Sequence, residues 1–277
     1  MSAGASYRYD GSLDGLLCCI FEAYERKEEP LSIVAGHAVQ LALDAQVRDI
    51  ASDPARASRV QQGILARIGP EAFACVQQAA LSTDPKAAEI ALAYVRLGFA
   101  VGPRIDQRLA DPAVHAMNKL LRQVGWEAQR YIQFLRFGEL EGGVYFAEME
   151  PEHDVLVIVM PHFADRFGQQ PFIIHDKTRG LAGVWDMREW ALVSSETMSL
   201  PPLTADEAHY QALWRTFYNS IAIKQRINPN LRRQFMPKKF WRYITEMRPE
   251  LPARKMENVS LPAGSDQGFA IAPSDPV

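Results

Sequence analysis

The sequence predicts an α+β protein with a helical N-terminal half, a central antiparallel sheet of four or five strands and a C-terminal basic helical arm. Apolar residues recur at helical spacing up to about residue 137. Short β-rich runs bounded by Gly, Pro and Asp then replace this pattern, and helical spacing returns with many basic residues. We therefore expect one domain over residues 6–250, with a helical part (12–137), a sheet part (143–194) and a helical arm (205–247), followed by a flexible tail (251–277).

Capping signals place the helices of the N-terminal half. After a short strand in SYRYDGS, Ser12 is positioned to cap a helix that runs to about Lys27. Ser52 or Asp53, followed by Pro54, marks the start of the next helix. Further helices are expected near residues 70–81, 85–101 and 112–136, and the run HAVQLALDA around residue 40 is expected to be a strand.

The central sheet is predicted from five short runs, GGVYFAEMEP, DVLVIVM, PFIIHD, GLAGVWD and EWALVS. Turn residues between them are typical of antiparallel strands joined by short loops. A helix is expected from about 205 to 225, and three of its residues at helical spacing, Trp214, Phe217 and Ile221, are expected in the core.

Composition and motifs exclude several classes of protein. With 277 residues, of which 48% are hydrophobic, the chain can bury a sizeable core, yet it has no apolar run long enough for a membrane span and no signal-peptide pattern. We expect a cytoplasmic protein. Cys18 and Cys19 lie in the apolar run LLCCIF, which favours core packing over metal or redox chemistry. Nucleotide-binding and hydrolase motifs are lacking, and we expect no metal and no cofactor.

Charge is distributed unevenly along the chain. Residues 213–248 contain nine Lys or Arg and one acid, a balance of +8, which leaves 21 bases and 32 acids, a balance of −11, for the remainder. A protein with a net charge of only −3 can therefore present one strongly positive surface that attracts phosphates.

The stretch NPNLRRQFMPKKFWRYITEM at residues 228–247 combines bases with aromatic residues. Bases supply phosphate contacts and exposed aromatic rings stack on unpaired nucleobases. The nucleic-acid-binding residues predicted from it are Arg232, Arg233, Lys238, Lys239, Arg242, Phe235 and Trp241. The alternative is an amphipathic arm whose aromatic residues pack on the sheet while its bases remain solvated.

A second set of residues is a candidate for catalysis. His162 and Arg166 lie four residues apart, with Asp165 beside them, so one helical turn would place them on one face. Glu127 lies in the apolar stretch WEAQRYIQFLRF, where a charge must be paired or line a cleft. A His-Arg-carboxylate site could act in general acid–base catalysis, and the alternative for these residues is a set of structural ion pairs.

Four stretches of the chain carry a family resemblance. They are YRYDGSLDGLLCCIFEAY (7–24), EAQRYIQFLRF (127–137), PHFADRFGQQPFIIHDKTRG (161–180) and INPNLRRQFMPKKFWRYITEM (227–247). In this order they resemble a bacterial family of DNA metabolism or DNA repair proteins whose domain has no assigned function. This chain departs from the resemblance at Gln129, where a histidine is expected.

The resemblance implies a role beside a lesion-processing enzyme. Genes of the family typically neighbour one for a radical-SAM DNA repair protein, and the domain also occurs fused to a uracil-DNA-glycosylase-like domain. We therefore expect a DNA-binding accessory protein whose partners are single-stranded or damaged DNA and the radical-SAM protein. The alternatives are a lesion-processing enzyme (a glycosylase, a nuclease or a base-modifying enzyme) and a protein-binding scaffold.

Overall fold

The computed structural model describes residues 5–36, 46–195, 201–221 and 229–247 and confirms the α+β class. The strand expected around residue 40 and the tail at 251–277 lie outside the described residues. No helix in the described part of the chain is long and apolar enough to cross a membrane.

The N-terminal half is helical, as predicted. Its elements are β1 (Ser6–Tyr9), α1 (Leu13–Glu25), β2 (Ile33–Ala35), β3 (Val47–Asp49), α2 (Pro54–Arg67), α3 (Pro70–Ala80), α4 (Ala87–Val101), a 3₁₀ segment (Gly102–Gln107) and α5 (Pro112–Phe134). Ser12 caps α1 by accepting the N–H of Gly15 at 2.9 Å, and Asp53 caps α2. The three short strands form a parallel sheet in the order β2-β1-β3, of which the sequence predicted only β1.

The central sheet has five strands in sequence order among the described residues. They are β4 (Gly138–Leu140), β5 (Val144–Met149), β6 (Phe172–Asp176), β7 (Leu181–Trp185) and β8 (Trp190–Ser194). Three of the four pairs are antiparallel, but β5 and β6 are parallel, so the sheet is mixed.

The prediction of a strand at DVLVIVM was wrong. Most of this run forms the start of α6 (Leu156–Phe167), which connects β5 to β6. Two adjacent parallel strands cannot be joined by a hairpin and need a crossover, most often a helix. The buried residues of α6 also follow helical spacing: Leu156, Val159, Met160, Phe163 and Ala164.

Two clusters of buried residues form the core. The first runs from Ala5 to Leu120 and includes Cys18 and Cys19, which confirms that these thiols pack in the interior. The second runs from Val124 to Ile244 and joins the end of α5, α6, the central sheet and the arm. With 23 residues, α5 is about 35 Å long and contributes to both clusters.

The C-terminal part contains α7 (Ala205–Ile221), α8 (Pro229–Phe235) and two 3₁₀ segments (Lys238–Tyr243 and Thr245–Met247). The prediction that Trp214, Phe217 and Ile221 lie in the core was wrong, because all three are exposed on α7. The second cluster is instead closed by Phe240 and Ile244 from the arm.

We predict that Phe240→Ala lowers the free energy of unfolding by about 3–5 kcal/mol. The Phe240 ring is 1% exposed and packs edge-on against Tyr131 at 5.0 Å between centroids, so its removal leaves a cavity. Phe235→Ala is the matched control in the same arm, because this ring is 69% exposed and its removal should change stability by less than about 0.5 kcal/mol. Urea denaturation followed by circular dichroism measures both, and equal values would show that the arm does not dock.

Candidate nucleic-acid interface

Residues 229–247 are the part of the predicted helical arm that follows α7, and the name arm is kept for them below. They change helix type at Met236-Pro237. The α-helix α8 ends at Phe235, and the first 3₁₀ segment begins at Lys238. A 3₁₀ helix has three residues per turn, so residues three apart lie on the same side. The segment Lys238–Tyr243 therefore has three sides, each formed by two residues, and each side has a different environment.

The first side, Phe240 and Tyr243, is buried. Phe240 contacts the rings of Tyr131 and Phe134, with centroid distances of 5.0 Å and 5.7 Å. This side attaches the arm to α5 through apolar contact.

The second side, Lys239 and Arg242, faces acids of the body. Lys239 Nζ donates to Glu127 Oε1 at 2.6 Å, and Arg242 donates to Glu150, which directly follows β5. Two of the five bases predicted to bind nucleic acid are therefore ion-pair partners within the protein.

The third side carries Lys238, which is exposed, and Trp241, which is half-buried and donates its indole N–H to the Met236 carbonyl at 2.9 Å. The C-terminal turn of α8 lies beside it. The guanidinium of Arg232 lies 5.1 Å from the Trp241 ring centroid and Lys238 Nζ lies 6.0 Å from it. Arg233 is exposed and donates to the Pro229 carbonyl at 3.2 Å, and Phe235 projects into solvent. Among the described residues none of the three cations pairs with an acid, and Arg232 Nε is buried without a hydrogen-bond partner.

Glu127 fastens the arm to the body. This buried carboxylate accepts the backbone N–H of His153 at 2.7 Å and that of Glu152 at 3.1 Å, in addition to the Lys239 ammonium. Burial raises the pKa of Glu127, but the hydrogen bonds from His153, Lys239 and Glu152 hold it below its ordinary value. One carboxylate thus joins α5, the loop before α6 and the arm.

A second carboxylate acts in a similar way. Glu246 accepts from Arg136 at 3.0 Å and from the indole N–H of Trp214 at 3.0 Å. It therefore connects the end of the arm to the segment after α5 and to α7. Because Glu246 is the only acid between Leu213 and Met247, pairing it with Arg136 leaves the outward bases without a local counter-charge.

The residues predicted for catalysis do not form one site. His162, Asp165 and Arg166 are exposed on α6, and no hydrogen bond or ion pair joins them in the described ranges. Arg166 lines a cleft of about 890 Å³ beside α7. Glu127 instead binds the backbone at residues 152 and 153, before α6 begins, and the helical rise separates Arg166 from residue 156 by about 15 Å.

Sequence reasoning missed Glu150 and His153. Glu150 accepts a hydrogen bond from Arg242, 92 residues away in the chain. The imidazole of His153 accepts one from the backbone N–H of Thr83, 70 residues away. Contacts this remote leave no local periodicity or spacing signal. Within the described residues no group of three or more His, Cys, Asp or Glu is arranged to hold a metal ion.

Residues 85–246 match the model of a family described as a domain of unknown function (DUF4130). This match covers more than half of the 277 residues. No curated protein matches the chain. Among solved structures, a pGpG-specific phosphodiesterase, PggH from Vibrio cholerae, aligns over 80% of this chain and 100% of its own at 11% identity, and the TM-score of 0.28 supports no conclusion about fold or function.

We predict that Glu127→Gln destabilises the protein at neutral pH by about 1.5–3 kcal/mol, the value of hydrogen bonds to a charged group. The folded-state pKa of Glu127 lies below the ordinary glutamate value of about 4.3, so its stabilisation is complete above that pH and is lost as pH falls through the folded value. The difference in unfolding free energy between wild type and variant should therefore shrink below about pH 4.

The matched control is Glu25→Gln, which neutralises an exposed carboxylate at the end of α1. Urea unfolding at neutral and acidic pH should show almost no change for it. A Glu127→Gln variant as stable as wild type at neutral pH would refute the anchoring role of Glu127.

Proposed function

The chain belongs to the DUF4130 family of domains of unknown function, and we propose that this member binds DNA through the outer face of its arm. The outer face consists of Arg232, Arg233, Phe235, Lys238 and Trp241. The observation that carries the proposal is the division of the arm into a buried side, an ion-paired side and this outward side, whose cations have no acid partner among the described residues.

The outer face has both components that single-stranded nucleic acid needs. Unpaired cations supply phosphate contacts, and exposed rings supply stacking that is worth about 1–3 kcal/mol per base. Phe235 offers its ring to solvent, while Trp241 lies beneath two cations that would meet the backbone of a strand stacked nearby. Paired bases cannot stack on side chains, so the preferred ligand is single-stranded or damaged DNA.

The biological setting comes from the family resemblance. DNA metabolism or repair, with a radical-SAM repair protein as partner, is the context in which a DNA-binding accessory protein would hold a strand for a separate enzyme. The contacts of the arm support the holding role, because Lys239 and Arg242 fix it to the body while the outer face remains available.

We predict that the double charge reversal Arg233→Glu/Lys238→Glu weakens binding to a single-stranded oligonucleotide at least tenfold at low salt. It replaces two outward cations with anions and therefore repels the phosphates. The measurement is fluorescence anisotropy with an end-labelled oligonucleotide.

The matched control is Arg108→Glu/Lys119→Glu, which makes the same change in net charge at two exposed sites in the N-terminal half. It should weaken binding less than twofold, and thermal unfolding should show that both variants are folded. Equal losses of affinity in the two variants would indicate a nonspecific charge effect, and no loss in the first would refute the proposal.

A further inference from the structure

A cavity of about 380 Å³ lies beside the arm, between α5, the loop before α6 and the loop after α3. Its volume lies in the range of small-ligand sites. The lining residues used below are Trp126, Glu127, Arg130, Glu152, His153 and Lys239. Lys239 belongs to the arm and directly follows Lys238 of the outer face, so the cavity opens next to the proposed path of the strand.

One wall of the cavity is a stacking surface. Trp126 is 60% exposed, which is unusual for the largest apolar side chain on a helix that is otherwise amphipathic. Arg130 follows four residues later on the same helical face, and its guanidinium has no ion-pair partner within the described residues. An aromatic ring and a planar guanidinium on one wall are the groups that proteins use to stack on an unpaired base.

A histidine also lines the cavity and offers it a hydrogen-bond donor. His153 is 8% exposed, and its Nδ1 accepts the backbone N–H of Thr83 at 3.2 Å. This contact assigns the ring proton to Nε2, which has no hydrogen-bond partner in the described part of the chain. The Nε2–H group is therefore available to donate to a hydrogen-bond acceptor of a ligand in the cavity.

The charges of the cavity distinguish a base from a phosphate. Lys239 is neutralised by Glu127, and the carboxylates of Asp84 and Glu152 also line the space. With three acids and two bases in its lining, the cavity does not favour an anion, whereas it suits a neutral planar group that stacks and accepts hydrogen bonds.

We propose that this cavity receives a single extruded nucleobase of a DNA strand that the outer face holds. The inference rests on the proposed function, because a base reaches the cavity only from a bound strand. Trp126 and Arg130 stack on the base, and Nε2–H of His153 donates to an acceptor on its edge. Glu127 positions Lys239 and the loop of His153, and its oxygens are occupied by those contacts.

The test compares two duplexes that differ in one base pair, one fully paired and one with a central mismatch. Extrusion requires less free energy at a mismatch, so wild type should bind the mismatched duplex roughly fivefold or more tightly, the equivalent of one stacked base. Trp126→Ala/Arg130→Gln should abolish this preference and leave affinity for the paired duplex within twofold. The matched control Leu109→Ala/Arg108→Gln, at an exposed pair in the N-terminal half, should retain the preference.

The outcomes separate this inference from the proposed function. If wild type binds DNA but shows no mismatch preference, or if Trp126→Ala/Arg130→Gln keeps it, the base-receiving role of the cavity is refuted and the function of the arm stands. If that variant weakens both duplexes equally, the two residues belong to the general grip and the inference is again refuted. If wild type binds neither these duplexes nor single strands, the proposed function itself is wrong.

Discussion

The packing of the C-terminal half depends on the hydrogen bonds that the Glu127 carboxylate accepts. A charge buried in the second core is tolerated only with full compensation, and here two backbone N–H groups and one ammonium supply it. Glu127 lies on α5, whereas the two N–H groups belong to the loop before α6 and the ammonium belongs to the arm. The compensation of one charge therefore determines where the loop before α6 and the arm must lie.

The position of the arm follows from that anchor and from 3₁₀ geometry. With Lys239 held at Glu127, a period of three places Phe240 in the core and puts Lys238 and Trp241 together on another side. The same geometry that buries one side and pairs another leaves Lys238, on the third side, exposed and without an acid partner among the described residues. The docking of the arm and its proposed binding surface thus belong to one short segment, and binding of nucleic acid by that segment remains a prediction.

Local signals were sufficient for much of the fold. The caps Ser12 and Asp53 and the helical spacing of apolar residues placed the first five helices to within a few residues, because capping and periodicity are local effects. The run DVLVIVM could not be assigned in the same way. Its β-branched residues favour a strand, and only the parallel pairing of β5 with β6 requires a helix there.

The candidate site was less predictable than the fold. The sequence identified the arm from its composition, but it could not show which bases pair with Glu127 and Glu150, since those contacts span 112 and 92 residues. Apolar spacing likewise placed Trp214 and Phe217 in the core, although amphipathicity shows only that residues share a face and not that anything covers it. Trp126 and His153 line one cavity, and no local pattern in the sequence links them, because they lie on different elements of the chain.

The most direct measurement is a salt titration of wild-type binding to a labelled single-stranded oligonucleotide, with a duplex of the same sequence for comparison. If Arg232, Arg233 and Lys238 each neutralise one phosphate, the logarithm of the association constant should fall with the logarithm of salt concentration at a slope of roughly −2, and the single strand should bind more tightly. Absence of binding at low salt, or binding that does not depend on salt, would contradict a nucleic-acid role for the outer face of the arm.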